Sequence, residues 1–376
     1  MVTGGVIDAC VHHRWAAQAE IMEYMGGAWQ EFLGEPDSLP GGVGAIPIQP
    51  GFPYPRPGGD RLAAGAEAGT TVEQLREHVF EDARVAGVVL SHDQTMLTTL
   101  LPNTHLAREI ARAANDWTVD RWLAADPRAY GLILVPTQVV EHAVEEIERL
   151  ADEARMVGVL LGANGLGKPF GHPQYHPILE VAAEHALPIV LHAGGDAVAE
   201  TLTHPSAGGL PTSYGEYQVL SPQPLQTHLV TLVGQGVFEK FPGLRVMLAG
   251  TGASWLPSVV WRFDTDYMAY RREAPWLKRY PGEYVRDNIR ISTWPIERAP
   301  TPAQLERLLR AYPGMEDLLV YASGYPSWDT DSVDVAAERV PVHWHAKVFR
   351  TNALELFRWP DAGPALAADS GVEVAL

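Results

Sequence analysis

Val6-Ile7-Asp8-Ala9-Cys10-Val11-His12-His13-Arg14-Trp15 is a short apolar run that ends in polar and ring-bearing residues. Side chains alternate along a strand, so an extended reading puts Asp8, Cys10 and His12 on one face and Ile7, Ala9 and Val11 on the other. A thiol and an imidazole two residues apart at the end of a buried strand form either a two-point chelate or a nucleophile–base pair. What the rest of the chain brings to that spot decides between them.

Outward from this strand the chain alternates helices with short apolar runs. A helical stretch, Ala16 to Leu33, leads into a Pro/Gly-rich run that contains Pro40-Gly41-Gly42 and Pro57-Gly58-Gly59. Proline removes backbone donors and glycine raises the entropy cost of order, so residues 34–70 read as an irregular lid or insertion. Strands are then expected at Ala86 to Leu90, Leu132 to Val135, Val157 to Leu161, Ile189 to Leu191, Arg245 to Leu248, Ile289 to Ser292 and Leu318 to Tyr321. Helical patterns separate them, among them Leu101 to Ala125, closed by Asp126-Pro127, and Trp255 to Tyr270. Each strand is continuously apolar, which fits burial on both faces of a parallel sheet. Eight strands alternating with helices predict an α/β chain closed into one TIM-type (β/α)8 barrel over residues 1–376. No glycine-rich dinucleotide or phosphate fingerprint follows any strand.

Composition limits the function classes. A formal net charge of −18 opposes nucleic acid and anionic membrane surfaces. No apolar run reaches bilayer length, and the N-terminal residues lack a signal-peptide pattern, so a cytoplasmic protein acting on a small molecule is expected. The one cysteine, Cys10, excludes an intrachain disulfide and a Cys-rich structural zinc site. It is either a buried apolar filler or a site residue. The aromatic surface of Trp255 to Tyr270 suits a homodimer contact or core packing, and Arg262, Arg271 and Arg272 read as surface cations.

In such a barrel, chemistry sits where strands end. The polar tips there are Cys10/His12, His92/Asp93, His192, Thr251, Thr293/Trp294 and Tyr325 to Asp329. With those tips in view the chain resembles the amidohydrolase-related family typified by aminocarboxymuconate-semialdehyde decarboxylase. The resemblance rests on Val6 to His12, Gly171-His172-Pro173-Gln174-Tyr175-His176-Pro177, Leu187 to Gly195, Phe238 to Arg245, Trp255-Leu256-Pro257 and Ala322-Ser323-Gly324-Tyr325-Pro326. It implies an amidohydrolase-like barrel and metal-dependent decarboxylase or hydrolase chemistry. The family pattern places an acid or His at position 10, His at 12, His at 192, Glu or His at 250 and Asp at 324. This chain keeps His12 and His192 but has Cys10, Gly250 and Gly324.

With those losses the expected centre is metal-free. His192, His12 and His13 are expected as acid/base groups, with Cys10 as nucleophile or filler. Trp15, His92, Tyr214, Glu216, Trp294, Tyr325, Trp328 and Asp329 are expected to line the pocket, with Asp329 alternatively capping the helix Val333 to Ala337. The corresponding function is a metal-independent, non-hydrolytic enzyme of lyase, decarboxylase, dehydratase, isomerase or cyclase type. Its substrate would be a small cyclic or aromatic metabolite of specialised, natural-product metabolism. Two alternatives stay open: a zinc or manganese decarboxylase or hydrolase with Cys10, His12 and His192 as ligands, and a non-catalytic binder on a degenerate barrel.

Overall fold

The computed structural model describes residues 2, 4–34, 68–93, 96, 98–99, 101–162, 167–193 and 211–360. Most of the expected lid, residues 35–67, lies outside them. The barrel strands are β1 (Val6–His13), β2 (Val85–His92), β3 (Ala129–Leu134), β4 (Met156–Gly162), β5 (Ile189–His192), β6 (Val246–Ala249), β7 (Ile289–Ser292) and β8 (Leu319–Val320). They lie in sequence order, every neighbouring pair parallel. The chain just past β8 joins β1 through Ala9 N–H to Tyr321 O (2.9 Å), Gly324 N–H to Cys10 O (3.1 Å) and His12 N–H to Tyr325 O (2.6 Å). These bonds bring the last strand's extension back to the first, as the eight-fold alternation predicts.

The strands were legible because each is an apolar run buried on both faces: every residue of β1, β3 and β4 is buried. The helices depart more. The expected helix from Ala16 to Leu33 is two, Gln18–Met22 and Gly27–Gly34. Gly26-Gly27 interrupts it, since glycine leaves the chain too free to hold a helix there. The expected helix Leu101 to Ala125 is an α-helix over Thr104–Trp117, started by Asn103 accepting from the Leu106 N–H at 3.1 Å. It then widens into a π turn over Thr118–Leu123. Thr118 Oγ1 donates to Ala114 O (2.8 Å) and lies 2.8 Å from the His13 ring, so the widened turn lies where a β1 side chain meets the helix.

β1 carries one more residue than β2 between the pairs Asp8–Val88 and Val11–Leu90. The resulting bulge holds Cys10, and Asp8 Oδ1 accepts the Cys10 N–H at 3.3 Å and the Ser323 N–H at 2.9 Å. A bulge beside a site re-aims side chains while its spare donor still needs a partner; here Asp8 is that partner. Among the described residues no helix is long and apolar enough to cross a membrane.

Candidate metal centre at the barrel mouth

Three of the expected residues converge. Cys10 Sγ lies 3.2 Å from His12 Nε2, and His12 Nε2 lies 3.0 Å from His192 Nε2. One ligand atom from each of the three falls within 4.8 Å of the others, and all three residues are buried. β1 supplies the thiol and the first imidazole; the end of β5 supplies the second.

His192 Nδ1 is 2.6 Å from Ala193 O. A carbonyl only accepts, so Nδ1 carries the ring proton and Nε2 presents its lone pair to the centre. Burial, aided by the facing His192 ring, lowers His12 to about 3, and burial lowers His192 to about 4. Both rings are therefore neutral near pH 7, the form that binds metals. Burial and then the Asp8 carboxylate push the Cys10 thiol well above its ordinary range. Burial raises Asp8 itself to about 6, against opposing hydrogen bonds from Ser323 and Cys10. Left to itself the thiol stays protonated, and a cation is what would discharge it, since a coordinating thiol gives up its proton.

The other wall is aromatic. Trp294, just past β7, sets its ring 5.7 Å from His12, nearly perpendicular, and 6.2 Å from His192. With Cys10 and Ala322 it forms a buried cluster apart from the main core. Its Nε1 donates to Asp329 O (3.2 Å), and Ser292 Oγ donates to Trp294 O (3.0 Å) and accepts the Gly250 N–H (3.1 Å).

The remaining expected residues fall elsewhere. His13 does not join the trio: Nδ1 lies 3.0 Å from Ser91 O, Nε2 reaches Thr118, and the ring stacks on Trp117 at 5.2 Å. One step along a strand reverses the side chain, and that step carries His13 out against the helix layer. His92 lies beside it, ring to ring at 4.6 Å, and Trp15 packs edge-on against Trp117 in the main core. Tyr325 turns its hydroxyl to His78 Nδ1 at 2.7 Å. Trp328 Nε1 donates to Tyr214 Oη (2.9 Å) on the exposed side of the mouth. Glu216 accepts from Thr212 N–H and Oγ1 at the start of the helix Tyr214–Leu220, a local capping role. Asp329 accepts from Ser327 Oγ at 2.6 Å, and the helix Val333–Arg339 is capped by Ser332, accepting from the Val335 N–H. His172 Nδ1 accepts the Gln174 N–H at the start of the short turn Pro173–Tyr175.

Two roles were not expected, although Asp8 and Asp93 were placed at the site. Asp8 lies two residues before Cys10 on the same strand, a spacing that marks it as the thiol's support. Arg14 pairs with Asp93 at 2.8 Å, and the charges of both act on His12 while Asp93 also acts on His192.

A barrel with donor groups gathered at its strand ends defines a class, and comparison with known proteins agrees. The Amidohydrolase family model matches residues 62–359, and the chain belongs to that family as an enzyme of the amidohydrolase superfamily. The gamma-resorcylate decarboxylase of Rhodococcus jostii is 25% identical over 340 residues, covering 84% of this chain and 98% of that one. An amidohydrolase of Mycobacterium avium subsp. paratuberculosis matches with a TM-score of 0.70 at 17% identity, over 95% of this chain and 98% of its own. The 5-carboxyvanillate decarboxylase of Novosphingobium aromaticivorans, crystallised with manganese and 4-hydroxy-3-methoxy-5-nitrobenzoic acid, matches with a TM-score of 0.64 at 20% identity, over 94% and 97%.

These findings correct the expectation of a metal-free centre without cofactor. A decarboxylase of this fold is crystallised with manganese, and the three donors here stand together with neutral rings. The metal-free expectation rested on the missing carboxylates, and the thiol beside two imidazoles offers donors of another kind.

Proposed function

We propose that this chain is a metal-dependent decarboxylase of a small hydroxylated aromatic acid, with Cys10, His12 and His192 holding the ion. The observation that carries the reading is the convergence of one thiol and two neutral imidazoles, one of them with its lone pair already aimed by Ala193 O. The acids for which two relatives are named, gamma-resorcylate and 5-carboxyvanillate, support the substrate class. Three protein ligands with a position left open is a catalytic arrangement of donors.

A bound divalent ion would supply Lewis-acid polarisation of a substrate oxygen. The chain's own residues do the rest. Asp8 fixes the backbone at Cys10, and Ala193 O fixes the tautomer of His192. Trp294 closes the β6–β8 side with an apolar ring that excludes water and suits a planar substrate. Asp93, paired with Arg14, acts on both imidazoles, and Arg14 acts on His12.

The test is release of carbon dioxide from a panel of hydroxybenzoates and methoxy-hydroxybenzoates by zinc- and manganese-loaded protein, before and after a chelator. Turnover that the chelator removes and added ion restores is expected. Turnover indifferent to chelation, or none across the panel with either ion bound, rejects the reading.

A further inference from the structure

At the ends of β6 and β8 the chain places glycines, Gly250 and Gly324, in left-handed backbone with φ of +88° and +68°. A Cβ on Gly324 would come within 2.0 Å of Trp294 Cε2 and 2.1 Å of Cδ2. A Cβ on Gly250 would meet His192 Cε1 at 3.1 Å and Trp294 Cζ3 at 3.5 Å. The indole thus occupies the space that a side chain at the β8 end would need, while at the β6 end the His192 ring is the tight neighbour and the indole is in ordinary contact. Its anchors, Asp329 O and the Ser292–Gly250 link, hold it there. Resting on the metal reading above, we propose that Trp294 limits the centre to one thiolate and two imidazoles and thereby makes it selective for zinc over manganese.

The chemistry follows from the donors. Manganese favours carboxylate, carbonyl and water oxygens, whereas thiolate and imidazole favour zinc, which also stands above manganese in the general affinity order. The gaps of 3.2 Å (S to N) and 3.0 Å (N to N) are edges that an ion with bonds of about 2.0–2.3 Å can span. An oxygen donor from the β8 end would shift that preference, and the tryptophan ring is what stands in its way.

The experiment reads metal binding, not turnover. Metal-stripped protein is dialysed against equimolar zinc and manganese and its metal content measured; a parallel sample is loaded with cobalt(II) and its absorption recorded. Zinc retained at least about tenfold over manganese is expected, with an intense thiolate-to-cobalt charge-transfer band that Cys10→Ser removes. Equal retention of the two ions, or a cobalt spectrum that Cys10→Ser leaves unchanged, overturns the proposal. In the pair Trp294→Gly with Gly324→Asp the manganese share should rise at least about tenfold; an unchanged ratio in folded protein counts against Trp294 as the selector. If the pair does not fold, the same ratio is read in Trp294→Ala, where a higher manganese share is expected and an unchanged ratio counts against Trp294 as the selector. A chain that binds zinc selectively yet releases no carbon dioxide refutes the proposed reaction and leaves this inference standing.

Discussion

His12 and His13 are neighbours in sequence with opposite fates. His12 faces the thiol and His192, while His13 is buried with both ring nitrogens engaged outside the mouth. Replacing His13 by Leu leaves Ser91 O without that donor and loosens the π turn at Thr118, at a cost of about 1–3 kcal/mol. His13→Leu should therefore lower the melting temperature while bound metal per chain stays at wild-type level; a loss of metal would return His13 to the centre. His192→Ala should do the opposite, removing metal and at least about 10²-fold of turnover with a near-normal far-ultraviolet spectrum. Strand alternation made Cys10 and His12 legible as partners, and the polar tip of β5 made His192 legible. The role of Trp294 was not, because it depends on β6, β7 and β8 meeting in space, and no local pattern records that meeting. Nor did the missing acids at 250 and 324 reveal by themselves what fills their place.

Elements inherit their legibility from burial. The strands are mostly apolar on both faces, so their positions could be read within three residues. Helix ends depended on single contacts: the double glycine at 26–27 and the Thr118 hydroxyl each broke a pattern that looked continuous. The end of the long helical segment shows the energetic side. Asp126 accepts from Arg76 Nε (3.0 Å) and from the Arg128 backbone and guanidinium (3.0 and 2.9 Å). Burial pushes its carboxyl up, but the Arg128 and Arg76 hydrogen bonds outweigh it and hold it at about 2, below the ordinary 3.8. A carboxyl lowered on folding stabilises the fold above its unfolded pKa, and that contribution is lost as pH falls through the folded value. The half-exposed arginines screen the interaction, so about 1–2 kcal/mol is the expected size. Asp126→Asn should reduce stability by that amount at pH 7 and by almost nothing near pH 2, where the wild type has lost the same contribution. Denaturant titrations at pH 7, 4 and 2 measure it, and a penalty constant with pH would assign the loss to the hydrogen bonds alone.

At the scale of the whole molecule the residues proposed to anchor an ion are far apart in the chain. Cys10 and His12 sit on the first strand and His192 on the fifth, and the first strand is also where the chain beyond β8 returns. An ion held by all three ties β1 to β5 across the mouth, and in the unfolded chain those ligands are 180 residues apart. Binding to the folded state alone therefore adds stability as RT ln(1 + [ion]/Kd), about 4 kcal/mol at a thousandfold excess over Kd. Zinc added to stripped protein should raise the melting temperature by several degrees, growing with the logarithm of free zinc once the site is filled, and a chelator should reverse it. The size of the gain depends on all three donors, so Cys10→Ser and His192→Ala should each flatten the concentration dependence even where the variant itself folds. A zinc-dependent rise of the same slope in both variants would mean that the ion binds somewhere other than the barrel mouth. The convergence of thiol and imidazoles would then be a feature of packing rather than of ligation.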